Sequence, residues 1–523
     1  MATATRSSKR SHKKRFLVQK PGGHFTDRVQ LVGPEHFGIV SIDCAKLRSK
    51  YMLADFYGRV LIPPTPFPHT RGDLEAVGDH ITRVREACDL RDLVIAIERT
   101  GEYHRPVLRS MRRRGWDARL VHPFTSKQFR LPADPDNKTD DTDLAAIHRA
   151  AVNGFGLTEA SLPPDYQQLQ LLIRHRRQLV GKMTCLCNQL RETLHAAMPG
   201  YASCFSNLWE SPIALVIACH TGSAPAVREA GLAGLRQLVA NAGQRCQTRT
   251  LNNILAWAEQ AAEGHAQTDC LRTILQALEE DRQRKIQEIT ALERACASLL
   301  VGMPYVLLLA IPGINVVSAA DLAGELGPLS NYPTSNSITG RAGLMPSRYQ
   351  SDAVDCANGP LRRSGNRRVR AALMQVADNL VTCNHYFRAR AGRWSQADKD
   401  PRWIRVKVAK QFSRLLFAMV GQRRWFRHAC CQERHYILDK LLGFHRQHQT
   451  PMPQTLKDLD LATQQLPRST YVAEAQPLLE RLREIDNRRR PKPELLGTII
   501  PIVLARLGIQ IVKSEPREGR DLS

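Results

Sequence analysis

Four acidic residues in the first third of the chain have the spacing expected of a metal site. Asp43 ends the apolar run FGIVSID, and Glu98 ends a second apolar run, DLVIAIE. Asp140 and Asp143 are three residues apart at the start of a predicted helix, so they share one helical face, from which Asp141 points away. Carboxylates that converge on one spot repel one another strongly and stay ionised only beside a cation. The pattern therefore predicts a bound divalent ion.

The chemistry that such a cluster supports is the cleavage of a phosphodiester. Mg²⁺ prefers oxygen ligands, and two ions about 3.5–4 Å apart stabilise both the attacking and the leaving oxygen. Each acid taken alone is more typical of a turn residue or a helix cap. The order of the four acids, with the first two at the ends of strands, favours a two-ion Mg²⁺ site.

A second group of residues whose types could take part in catalysis surrounds Ser351. A serine hydroxyl is a poor nucleophile unless a base or a metal activates it. Nearby guanidinium groups would hold a phosphate and stabilise the charge that develops on it. A serine that only contacts phosphate or faces solvent is the plainer alternative, because no His or Lys stands beside it in the sequence as a base. The arginines of this group are Arg348, Arg362, Arg363, Arg367, Arg368 and Arg370.

The elements that position the acids are predicted to form an α/β domain. Short apolar strands alternate with helices, and a β-hairpin is expected to turn at Tyr57-Gly58. Neighbouring strands of an open α/β sheet place their carboxyl ends at one edge, where such folds have their sites. Asp43 and Glu98 are therefore expected to lie close together, and the helix that follows PADPDNKT carries the other two acids.

The remainder of the chain is predicted to be mostly helical. Leucines recur at helical spacing from residue 172 to 194 and again from 271 to 299, as in the arms of an antiparallel or dimerising coiled coil. A Gly- and Ala-rich helical insert separates the two segments. Farther on, LLLAIPGINVVSAADLAGELG predicts a helix–hairpin–helix motif whose turn, Pro312-Gly313, directs backbone amides at a DNA phosphate.

The charge of the chain indicates a polyanionic partner. Its 523 residues include 75 Lys and Arg against 50 Asp and Glu, a formal net charge of +25, whereas the hydrophobic content of 43% is ordinary. Charge alone leaves nucleic acid, an anionic membrane surface and a generally basic proteome as alternatives. Membrane spanning is not expected, since Pro501 and Arg506 interrupt the most apolar stretch. Thirteen Cys without a CxxC pair and the lack of a signal peptide predict a reducing, cytoplasmic location.

Six motifs in order resemble a known family, the 110-type insertion-sequence transposases, also called bridge-RNA-guided recombinases. No single motif is decisive, but the six in this order are highly specific. The resemblance covers roughly residues 37 to 200 and 270 to 420. Its motifs are GIVSIDCAK, IERTG, NKTDDTDLAAI, IPGINVVSAADLAGELG, GRAGLMPSRYQS and RRSGNRRVRAAL.

The resemblance implies a RuvC-like ribonuclease H fold joined by a coiled coil to a C-terminal transposase domain. It makes Asp43, Glu98, Asp140 and Asp143 a metal-binding tetrad, and it makes Ser351 the nucleophile that becomes linked to a 5′ phosphate of DNA. Members assemble as dimers that pair into tetramers, and the acids and the serine of one site come from different subunits. An RNA encoded by the element pairs with donor and target DNA.

One departure from the family pattern follows the serine. The family has a Gly-rich basic turn there, whereas this chain has Asp352 and Asp355, two acids that would repel a phosphate. The leading hypothesis is an RNA-guided DNA recombinase that uses Mg²⁺ and a serine. The alternatives are a RuvC-like nuclease that works through the acids alone and a decayed copy that only binds nucleic acid.

The expected domain organisation has five parts. They are a disordered basic arm at 1–36, a RuvC-like DEDD domain at 37–160, a coiled-coil region at 161–300 with its insert at about 200–268, a transposase domain carrying the serine at 301–425, and a basic helical extension at 426–523.

Overall fold

The computed structural model divides into two compact units, Met1–Ser161 and Leu162–Ser523. It describes residues 23–132, 138–159, 162–347, 349–351, 354–356, 359–362, 365–422, 430–431 and 435–466. Among these residues no single helix is long and apolar enough to cross a membrane. One bent pair, Thr268–Leu300 with Pro304–Ala310, meets the length and composition requirements together.

The N-terminal unit is built on a five-stranded mixed sheet with the strand order β3-β2-β1-β4-β5. Strand β1 pairs antiparallel with β2 and parallel with β4, and β4 pairs parallel with β5. The predicted hairpin turn is confirmed, with Gly58 at a φ of +96° between β2 and β3. The elements are α1 (Thr26–Val32), β1 (Phe37–Asp43), β2 (Arg48–Asp55), β3 (Val60–Pro68), α2 (Arg71–Ala87), β4 (Asp92–Glu98), α3 (His104–Arg113), β5 (Asp117–Val121), α4 (Pro123–Arg130) and α5 (Asp140–Val152).

Both faces of this sheet are covered, which explains why the interiors of β1 and β4 are almost entirely apolar instead of alternating. Val40 and Ile95 lie on the face that packs against α2 and α3. Ile39 and Val94 lie on the opposite face, in one cluster with Ile147 of α5. The parallel strands at the centre therefore end between two helical layers.

The C-terminal unit is mostly helical, as predicted. The elements are α6 (Pro164–Ala197), α7 (Ala214–Thr221), α8 (Ala224–Asn241), α9 (Thr248–Gln260), α10 (Thr268–Leu300), α11 (Val316–Leu326), α12 (Ser335–Arg341), β6 (Tyr349–Ser351), β7 (Val354–Cys356), α13 (Arg367–Cys383), α14 (His385–Gln396), α15 (Pro401–Gln422), α16 (His435–Gln447) and α17 (Met452–Gln465), with short 3₁₀ helices between some of them.

The two long leucine-rich helices, α6 and α10, pack against each other within the chain. Arg176 of α6 pairs with Glu293 of α10 at 2.6 Å, while Leu194 and Leu275 meet in another cluster farther along. Because rising numbers on α6 meet falling numbers on α10, the pair is antiparallel. The insert helices α7, α8 and α9 complete the core at the end near Leu194. A supercoil of the two helices stays a prediction.

The first segment of the predicted helix–hairpin–helix motif is not an α-helix. Residues Pro304–Ala310 form a 3₁₀ helix, and its side chains from Tyr305 to Ala310 are fully buried. A seven-residue segment that is apolar on every side has no exposed face, and 3₁₀ helices suit such short connections. The second segment, α11, is a regular helix capped by Asn315. The motif as a whole stays a prediction.

Candidate active site

Asp43 and Glu98 lie at neighbouring ends of two parallel strands. Ile42 of β1 pairs with Ile97 of β4, so each acid is the next residue after a paired position. Side chains alternate between the two faces of a strand. Asp43 therefore lies on the same face as Ile39, and Glu98 on the same face as Val94, which is the face covered by α5. The two acids meet on one side of one sheet edge.

The first turn of α5 supplies the other two acids. Thr139 caps this helix, and its side chain accepts a hydrogen bond from the amide of Thr142 in a capping box. Asp140 and Asp143 both lie in the first turn, where the positive end of the helix dipole favours carboxylates. Since α5 packs on the face that carries the strand-end acids, Asp140 and Asp143 lie near enough to Asp43 to act on its charge. A metal site formed by all four acids stays a prediction.

The electrostatics of the cluster reflect this crowding. Burial is the main cause that raises the pKa of Asp43 to about 6, and Glu98, Asp143 and Asp140 raise it further by repulsion. Burial likewise raises the pKa of Glu98, against a hydrogen bond from Ser126 that lowers it. The helix acids are therefore close enough to destabilise the charged forms of the strand-end acids, and a bound cation would relieve that cost.

Three side chains that sequence reasoning missed contact the acids. Arg130 of α4 donates from Nη1 to Asp143 Oδ1 at 2.8 Å, and this pair is largely buried. The hydroxyl of Ser126, one turn earlier on the same helix, donates to Glu98 Oε2 at 2.8 Å. The only sequence signal was their spacing of four on the helix after β5.

The third is Lys50 of β2, which neutralises the start of α5. Its Nζ lies 3.1 Å from Asp141 Oδ1 and 3.4 Å from Asp140 Oδ2. Asp141, set aside from the cluster by helical spacing, thus takes part in the same ion-pair group as Asp140.

The donor set fits a hard divalent cation in part. Among the residues that the structure describes, no group of three or more His, Cys, Asp or Glu side chains is arranged to hold a metal ion. Asp43 and Glu98 present oxygen donors whose pKa is raised, as expected of carboxylates without a counter-ion. An ion held by all four acids requires Asp143 to give up Arg130, and Asp140 to give up Lys50, in exchange for the metal.

Ser351 is the last residue of β6 in a two-stranded antiparallel sheet. It pairs with Val354 of β7, so it borders the tip of this hairpin. Arg348, Arg363 and Asp352 lie outside the described residues. The backbone thus places the predicted nucleophile at the end of β6 within the C-terminal unit.

The arginines after the hairpin divide into two groups. Arg367 and Arg368 are exposed at the start of α13, and Arg362 is exposed before it. Arg370 is engaged within the fold, because its guanidinium donates to the carbonyls of Ala342 at 2.8 Å and Arg362 at 2.6 Å. Arg362, Arg367 and Arg368 are therefore available to bind a phosphate, whereas Arg370 is not.

The predicted phosphate-binding turn is held by the surrounding helices. Gly313 has a φ of +95°, and a Cβ there would come within 2.9 Å of the Asn379 carbonyl of α13. Asn384 donates to the carbonyl of Pro312 at 3.3 Å. Lys440 of α16 donates to the carbonyls on either side of the turn, at 2.8 and 2.7 Å. Because of its positive φ and the nearby Asn379 carbonyl, position 313 accommodates only glycine.

Comparison with known proteins finds similarity in the two regions that contain the acids and the serine. A profile of IS110-type DEDD transposases, described as Transposase, matches residues 40–199, and a profile described as the Transposase IS116/IS110/IS902 family matches residues 305–391. The first match contains all four acids of the cluster, and the second contains the Pro-Gly turn and Ser351. The chain belongs to the IS110-type transposases. Membership of this family implies a DNA-processing enzyme, and the DEDD type suggests the use of a divalent metal.

Individual relatives of this transposase are distant in sequence. The Insertion element IS110 uncharacterized 43.6 kDa protein of Streptomyces coelicolor is 24% identical over 287 residues, which cover 54% of this chain and 70% of that protein. The Probable family 20 transposase of Pseudomonas aeruginosa is 24% identical over 338 residues, 64% of this chain and 86% of the relative. The Transposase for insertion sequence element IS1328 of Yersinia enterocolitica is 32% identical over 87 residues, 17% of this chain and 26% of that protein.

Proposed function

We propose that this transposase cuts and rejoins DNA with Mg²⁺ bound by Asp43, Glu98, Asp140 and Asp143 and with Ser351 as the nucleophile. The observation that carries the proposal is the burial of Asp43 beside Glu98 and the first turn of α5, which together raise the pKa of Asp43 to about 6. Carboxylates crowded in this way favour a divalent cation over protons at neutral pH. The RuvC-like ribonuclease H fold is part of this proposal, supported by the mixed sheet with acids at its edge.

The described side chains have distinct tasks in this scheme. Asp43 and Glu98 would supply oxygen ligands to the metal, and Ser126 holds the Glu98 carboxylate in place by its hydrogen bond. Arg130 pairs with Asp143 and Lys50 pairs with Asp140, and both acids would have to release these side chains to hold a cation. When bound, Mg²⁺ would stabilise negative charge on the oxygens of a scissile phosphodiester.

Ser351 carries out the covalent step. Its Oγ attacks the phosphorus, the bond from phosphorus to the 3′ oxygen breaks, and the strand end stays attached as a 5′-phosphoserine. The 3′ oxygen takes up a proton as it leaves. The resulting 3′ hydroxyl later attacks the phosphorus of another phosphoserine, which releases the serine and rejoins the strand. No His or Lys adjoins Ser351 in the sequence, so we place its base in the acid cluster of a neighbouring subunit of a dimer or tetramer. Single-turnover cleavage that survived loss of all four acids would refute this assignment.

An element-encoded RNA paired with donor and target DNA accounts for the strong positive charge. Each phosphate that a Lys or Arg neutralises adds affinity that falls with salt. If base pairing supplies the sequence specificity, the protein needs backbone contacts more than side chains that read bases, as in other guide-RNA effectors. The net charge of +25 and the exposed Arg362, Arg367 and Arg368 support this part of the proposal.

One experiment separates this function from its alternatives. The full chain is incubated with Mg²⁺, donor and target DNA and RNA transcribed from the flanks of the element, and then denatured to detect protein–DNA adducts. Adducts that Ser351→Ala and Asp43→Asn both abolish, but Asp141→Asn retains, support the proposal. Free nicks that persist in Ser351→Ala indicate a metal-dependent nuclease instead, whereas binding without cleavage by the wild-type protein indicates a decayed copy.

A further inference from the structure

A pocket of about 320 Å³ lies between α14 and α15 of the C-terminal unit, and neither the acids nor the serine line it. Its walls are one turn of α14 and one face of α15. The volume is within the range of small-ligand sites, roughly 300–1,000 Å³. The lining residues are Tyr386, Phe387, Arg390, Gln411, Arg414, Leu415 and Ala418.

The floor of this pocket is apolar and one wall is aromatic. Phe387 and Leu415 are almost fully buried beneath it. Arg390 lies over the ring of Tyr386, with 5.3 Å between its guanidinium carbon and the ring centroid, and it also donates a hydrogen bond to the Tyr386 hydroxyl. Together they form a surface suited to stacking a flat group.

The polar wall has an unsatisfied acceptor. Gln411 Oε1 is buried and has no hydrogen-bond partner among the described residues. A buried acceptor without a donor is unfavourable, so the pocket favours a ligand that brings an N–H group to Gln411. Every nucleobase carries such a group on its Watson–Crick edge, whereas a free phosphate does not.

The rim carries positive charge that nothing nearby offsets. Within the described part of the chain, Arg390, Lys410 and Arg414 have no carboxylate partner, whereas Arg405 on another face of α15 pairs with Asp378. Burial lowers the pKa of Lys410, and the positive charge of Arg414 contributes to the decrease. Because no acidic side chain of the described residues pairs with these three basic groups, they remain available to an anionic ligand.

From these contacts we infer that the pocket holds one unpaired nucleotide of a bound nucleic acid strand. The base stacks against Tyr386 and donates to Gln411, and the phosphate lies between Arg390 and Arg414. The inference rests on the proposed function, because it presupposes a nucleic acid partner. A phosphate alone would leave the apolar floor and the Gln411 acceptor unused.

The test compares duplexes that carry one bulged nucleotide with duplexes that carry an abasic bulge or none, each made in RNA and in DNA. Fluorescence anisotropy with the full-length protein measures Kd. Stacking of one base corresponds to roughly tenfold in affinity. We expect the wild-type protein to bind the bulged base about tenfold more tightly than the abasic bulge, and the RNA and DNA series to identify which strand supplies it.

Gln411→Leu should reduce this preference to within twofold while binding of the duplex without a bulge stays unchanged. Arg414→Gln should weaken all three ligands. Arg388→Gln, on α14 but outside the pocket lining, is the charge-matched control for Arg414→Gln and should retain the preference. Unchanged thermal unfolding of Gln411→Leu excludes loss of the fold.

Equal binding of bulged and abasic duplexes by the wild-type protein, or a preference that Gln411→Leu retains, would overturn the inference. If Ser351-dependent adducts still form in that case, the proposed function stands without this pocket. If the protein binds none of the nucleic acids, both fail together.

Discussion

Replacing Asp43 by asparagine should stabilise the metal-free protein at neutral pH. Asp43 is partly buried beside Glu98, Asp143 and Asp140, and its pKa is about 6 instead of the ordinary 3.8. A carboxyl group whose pKa is higher in the folded state than in the unfolded state destabilises the folded state when it ionises. That cost is fully present above pH 6 and disappears as the pH falls to 3.8, where the group is protonated in both states.

The size of the effect follows from the two pKa values. Each pH unit between them corresponds to about 1.4 kcal/mol, which gives about 3 kcal/mol for the full difference. Since Asp43 is only partly buried and solvent screens its neighbours, we expect Asp43→Asn to recover about 1–2 kcal/mol. For a unit of this size, that corresponds to an increase in Tm of about 3–6 °C.

The assay is thermal unfolding in EDTA at pH 7.5 and at pH 5, with Asp141→Asn as the control. Asp141 is an exposed acid in the first turn of α5 outside the cluster of four, and its substitution should change stability by less than about 0.5 kcal/mol. The difference between Asp43→Asn and the wild-type protein should shrink by about half at pH 5. An Asp43→Asn protein that is no more stable than wild type at pH 7.5, or a difference that does not fall with pH, would refute the reasoning.

Three further substitutions test the partners of the buried acids. Arg130→Gln should tighten Mg²⁺ binding severalfold in titration calorimetry, because no guanidinium then competes for Asp143; weaker binding would mean that Arg130 supports the metal site. Ser126→Ala should weaken Mg²⁺ binding about tenfold by releasing Glu98, and an unchanged Kd would exclude a positioning role. Glu325→Ala should lower the free energy of unfolding by about 3–5 kcal/mol in urea, because two arginines of α6 lose a fully buried partner; a loss below 1 kcal/mol would contradict the importance of this ion pair.

The sequence by itself determined the elements that carry the candidate site. The runs FGIVSID and DLVIAIE are apolar at nearly every position and end in an acid, so they predicted buried parallel strands with carboxylates at one edge. The sequence also predicted that a helix starts at Asp140, because the start of a helix depends on residues within one turn. The helical nature of the C-terminal unit followed from the spacing of its leucines.

Only the tertiary structure decided which groups meet the acids. Lys50 reaches the start of α5 across 91 residues of sequence, and the pairing of Arg130 with Asp143 depends on how α4 packs beside α5. Helical spacing also could not tell a pairing of α6 with α10 inside one chain from a pairing between two chains. Periodicity fixes which face of an element is buried, but the partner of that face, and the charge that neutralises a buried carboxylate, depend on residues that are distant in the sequence and adjacent only after folding.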